Sequence, residues 1–123
     1  MALIDDLLKE LQIAKDVETF RVAGGEDLLD TASGDSSLSS EAVEVLKIKW
    51  NYEVIQLNRI RAAIAALESL REHGYPTRKV FNVSTAIAEE LLQKQKQMQD
   101  FTNELLPIII GADSANITKA TGG

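Results

Sequence analysis

SEAVEVLKIKWNYEVIQLNRIRAAIAALESLREHGYP, residues 40–76, is the stretch whose reading decides the fold. Within it Val43, Trp50, Leu57 and Ile64 recur at one heptad position, and Leu46, Ile60 and Leu67 at the other, with Glu53 alone out of pattern. That spacing belongs to a helix that buries a seam. Ser40 suits the N-cap, and Glu41 and Glu44 follow in the first turn, where the helix dipole favours acids. At the other end Gly74 can adopt the left-handed cap conformation and Pro76 cannot continue the hydrogen-bond ladder. A helix is therefore expected over residues 41–73. At roughly 1.5 Å per residue it would be about 45 Å long, beyond the usual globular length.

The same helix carries a second apolar stripe. Ile48, Tyr52, Ile55, Ala62, Ala66 and Leu70 lie roughly opposite the heptad seam, leaving a narrow polar strip through Glu44, Lys47, Asn51, Asn58, Arg61, Glu68 and Glu72. A helix apolar on two faces must be covered on both.

Towards the N-terminus, Leu3, Leu7, Leu11 and Ala14, with Ile4 and Leu8 beside them, predict a short amphipathic helix over residues 2–16. Gly24 and Gly25 are expected to break it, with one or two further turns around Leu28 and Leu29. TASGDSSLSS, residues 31–40, is small, polar and serine-rich, which is linker chemistry. Residues 1–40 thus read as an acidic arm joined flexibly to the rest.

Towards the C-terminus, the turn at residues 74–76 predicts a helical hairpin. A third helix is expected from near Thr77 or Ser84 to about Leu106, packing antiparallel on the central helix through Val80, Ile87, Leu91, Met98, Phe101 and Leu105. Its middle, residues 93–99, is polar apart from Met98 and reads as a wet side. Pro107 interrupts it, Ile108, Ile109 and Ile110 form an apolar patch, and residues 111–123 read as a flexible tail. The expected architecture is all-α: a hairpin or three-helix bundle on one long central helix, with its core in residues 41–110.

Composition bounds the function. A chain of 123 residues, 45% hydrophobic and 26% charged, suits one globular domain that needs neither metal nor disulfide. With no cysteine, thiolate zinc sites, iron–sulfur clusters and cysteine nucleophiles are excluded. Residues 1–14 interleave apolar residues with Asp5, Asp6, Lys9 and Glu10, unlike a signal peptide, and no apolar run approaches the roughly 20 residues of a membrane span. A cytoplasmic location, or one inside an assembly, is the expectation.

The net charge of −6 opposes general affinity for phosphate backbones. The acids concentrate in the first 40 residues. A basic group near the hairpin end, Arg59, Arg61, Arg71, Arg78 and Lys79, could contact an acidic partner or nucleic acid.

Motifs for chemistry are lacking. His73, the single histidine, sits where a helix C-terminus favours positive charge. Asp27, Asp30 and Asp35 lack the alternating oxygen spacing of a calcium loop. Glu89 and Glu90 have no accompanying E-x-x-H, so a bundle metal site is not expected. Gly24–Gly25 lacks the lysine and preceding strand of a phosphate loop. Asn116-Ile117-Thr118 matches a glycosylation acceptor without a secretory signal. Trp50 is expected to anchor a core or an interface.

No catalytic residue, metal or cofactor is therefore expected. The sequence predicts a structural or adaptor subunit that joins other protein subunits, as a homo- or hetero-oligomer, in a viral ring or connector or a cellular complex. Its interface residues would be Val43, Leu46, Trp50, Tyr52, Ile55, Leu57, Ile60, Ile64, Leu67 and Ile108 to Ile110. The alternative is a nucleic-acid accessory protein acting through the basic group; no membrane role is expected.

Overall fold

A computed structural model describes residues 2–34 and 38–98 of the chain. These form three helices, α1 (Ala2–Ser33), α2 (Ser40–His73) and α3 (Arg78–Gln97), and no strand. The protein is all-α. No helix of the described residues is long and apolar enough to cross a membrane.

α2 spans the length its sequence predicts. Its N-cap is Ser39 rather than Ser40: the Ser39 hydroxyl accepts from the Ala42 amide at 3.1 Å, which satisfies one of the helix's orphan donors. Its far end closes at Gly74, which adopts φ 75° and donates its amide to the Leu70 carbonyl at 2.9 Å. Only a residue without Cβ takes that conformation at no cost.

α1 corrects the expectation of a short helix broken by glycine. It runs unbroken through Gly24 and Gly25 to Ser33. Each glycine in a helix interior costs about 1 kcal/mol relative to alanine, and packing on the far side offsets this. Leu29 and Ala32 are buried with Leu46, and Leu28, Leu38 and Trp50 pack around them. Residues 31–33, read as linker, belong to this helix, and Ala32 is 1% exposed.

α3 begins at Thr77, whose side chain accepts from the Val80 amide at 3.2 Å. It ends at Gln97, where Met98 turns to an extended conformation. The predicted extension to Leu106, and Phe101, Leu105 and Pro107, lie outside the described residues. So do Ile108, Ile109, Ile110 and the tail.

Two compact units emerge. The first comprises residues 2–19 with Val54–Met98, and the second Phe20–Glu53. In the first, Ile4, Leu7, Leu8, Leu11 and Ala14 of α1 meet Ile60, Ala63, Ile64, Leu67 and Leu70 of α2 and Ala88 and Leu91 of α3, a bundle-like packing. Tyr75, Phe81 and Leu92 seal its edge. The residues read as an N-terminal arm therefore supply much of this core. In the second unit, α1 and α2 enclose the small cluster around Leu29, Ala32 and Leu46.

The packed side of α3 differs from expectation. Thr85, Ala88 and Leu91 are its buried residues, whereas Val80 and Ile87, expected in the contact stripe, are 38% and 49% exposed. Both strips fit a 3.6-residue period, but Phe81 and Leu92 outweigh the valines in area and turn inward.

Candidate protein-interaction surface

The interior of the first unit is not wholly apolar. Glu18 is fully buried and Gln56 is 1% exposed. The Gln95 amide donates to Glu18 Oε1 at 2.6 Å, and the Gln56 amide donates to Gln95 Oε1 and to the Leu91 carbonyl, each at 3.3 Å. Gln95, expected on a wet side of α3, instead links one side chain from each helix. Gln56 Oε1 finds no hydrogen-bond partner among the described residues. Thr85 is satisfied locally by the Phe81 carbonyl at 3.0 Å.

Among the described residues no group of three or more His, Asp or Glu could hold a metal ion. His73 is exposed and lies 3.7 Å from Glu72. Asp27 and Asp30 sit on α1, and Glu89 and Glu90 are exposed on α3.

The proposed interface residues that are described fall into three groups. Leu46, Leu57, Ile60, Ile64 and Leu67 are buried in the chain's own interior. Val43 and Trp50 are half-buried, and the Trp50 indole donates to the Val22 carbonyl at 3.0 Å. Tyr52 and Ile55, by contrast, are 63% and 44% exposed. Glu53, the position out of heptad pattern, is 3% exposed.

The uncovered apolar residues form helical strips. In the second unit Val45, Ile48 and Tyr52 recur along α2, and Phe20 of α1, at 79%, is the most exposed large apolar side chain among the described residues. In the first unit Ile13 and Val17 lie one turn apart on α1, and Val80, Val83 and Ile87 follow one another on α3. Beside this last strip runs a groove of about 360 Å³ lined by Arg59, Ala62, Ala63, Ala66, Ser84, Ile87 and Leu91. Single exposed apolar residues are ordinary, whereas apolar side chains grouped at helical spacing make a contiguous uncovered face. In the sequence Val80 and Ile87 read as core, and Val83 is not singled out.

The five basic residues do not converge. Arg59 lines the groove beside α3, while Arg61 lines a separate depression with Gln12, Lys15, Ile64, Ala65 and Glu68. Two residues apart on a helix, they point about 200° from each other. Arg71 lies 3.7 Å from Asp5, and the Arg78 guanidinium stands 5.9 Å over the Phe81 ring. Lys79 is exposed. Compared with protein-family models, curated proteins and solved structures, the chain matches none.

Proposed function

We propose that this protein is a non-enzymatic structural or adaptor subunit that assembles with other protein subunits through its helix faces. Its architecture on this reading is a helical hairpin or three-helix bundle built on the long α2. The observation that carries the proposal is the second apolar stripe of α2: Ile48, Tyr52 and Ile55 are 53%, 63% and 44% exposed, although the other face of the same helix is buried. Large aromatic and aliphatic side chains left in water at regular spacing lose free energy that a partner helix restores, at about 1.5 to 3 kcal/mol for each side chain fully covered.

Two measurements test it. The wild-type chain should sediment as a complex, with itself or with protein captured from its source. Ile48→Glu with Tyr52→Glu should remove whatever subunit binds along α2 and so shrink that complex, while helicity by circular dichroism is retained. A wild-type chain that stays monomeric and captures nothing, or a double variant that assembles unchanged, refutes the proposal.

A further inference from the structure

We propose that the strip Val80, Val83 and Ile87 on α3 receives a second copy of this chain, with the two α3 helices antiparallel about a two-fold axis that crosses the strip at the level of Ser84 and Thr85. This rests on the assembly reading and names the partner at one face.

The strip is exposed on a helix whose other side is buried through Ala88 and Leu91. In the frame of the helix, Lys79 and Glu90 flank it on the same side, about three turns apart and nearly in line. Both are exposed, and neither takes part in an ion pair among the described residues. Along the helix axis the midpoint between Lys79 and Glu90 falls between Ser84 and Thr85, and the midpoint between Val83 and Ile87 falls at the level of Thr85.

A two-fold axis at that point sets Lys79 of one protomer against Glu90 of the other, twice. It also sets Val83 against Ile87, twice. An isologous interface requires that each feature meet its own symmetry mate in complementary form. A foreign helix imposes no such requirement, so this self-complementarity points to a second copy. The groove between Ile87 and the small side chains Ala62 and Ala66 leaves room for the incoming apolar side chains.

Sedimentation velocity and charge exchange on the full chain test the pairing. Wild type should dimerise at micromolar concentration. Lys79→Glu alone places two glutamates opposite two glutamates, and Glu90→Lys alone places two lysines opposite two lysines. Each should raise the dimer Kd at least about tenfold, with helicity unchanged. An equimolar mixture of the two variants restores both attractive pairs and should recover the dimer as a mixed species. Val83→Asp should abolish dimerisation.

A wild-type chain that is monomeric throughout overturns the proposal. So do single variants that dimerise like wild type, or a mixture that fails to recover. Capture of a different subunit by a monomeric chain would leave the assembly reading standing and this pairing refuted.

Discussion

The two compact units are built from the same helices but unequally. One draws on α1, α2 and α3 and buries twelve apolar residues in a single cluster. Among the described residues the other draws on α1 and α2 alone and buries three, with Leu28, Leu38 and Trp50 half-covered around them. Two helices cannot enclose each other, because each presents a stripe to one neighbour and leaves its flanks in water. The third helix supplies what the second unit lacks. Local stability should follow this inequality, since regions with few buried contacts open at lower free energy than the core.

The largest effect is expected from the well-packed unit. Ile60 is fully buried at its centre, and Ile60→Ala should cost about 4 kcal/mol, the transfer of the lost methyls plus the cavity they leave. Urea unfolding followed by circular dichroism measures this, and a loss below about 1 kcal/mol would show that the core has slack to collapse.

A smaller loss separates the units. Trp50 is half-buried and its indole bonds the Val22 carbonyl, so Trp50→Ala should cost about 2 kcal/mol. The amides of residues 20–53 should then exchange faster while those around Ile60 and Leu67 keep their protection. Uniform acceleration along the chain would mean that the units open together, and the contrast would be lost.

The smallest effect sharpens the comparison from outside. Phe20 is 79% exposed, and Phe20→Ser should change the stability of the isolated chain by less than about 0.5 kcal/mol. Thermal unfolding of the isolated chain measures it. A drop of several degrees would mean that Phe20 packs within the chain.

How much of this was legible varies with the range of the interaction involved. The end of α2 could be read from Gly74 and Pro76, because caps and breakers act within a few residues. The continuity of α1 could not, since Gly24 and Gly25 signal a break locally and are overruled by Leu29 and Ala32 packing with Leu46. The inward side of α3 was ambiguous because Val80 and Ile87 and Phe81 and Ala88 repeat with equal regularity. Glu18 and Gln95 are 77 residues apart in sequence, and nothing in either neighbourhood announces the other. Of the candidate surface, Tyr52 and Ile55 were recognised from the second stripe of α2, whereas the α3 strip required knowing which side the core had claimed.

The buried connection among Glu18, Gln95 and Gln56 sets the axial register of the first unit. Leucines and isoleucines recur along all three helices every three or four residues, so sliding one helix by a turn, about 5.4 Å, would still bring apolar side chains together. Such a slip would instead drive the carboxylate and both amides against hydrocarbon, where a polar group without its hydrogen bond costs several kcal/mol. An apolar replacement of all three residues would hold as tightly or tighter. It would also lose the means of telling one alignment from the next, and with it the fixed placement of the exposed strips that this unit presents.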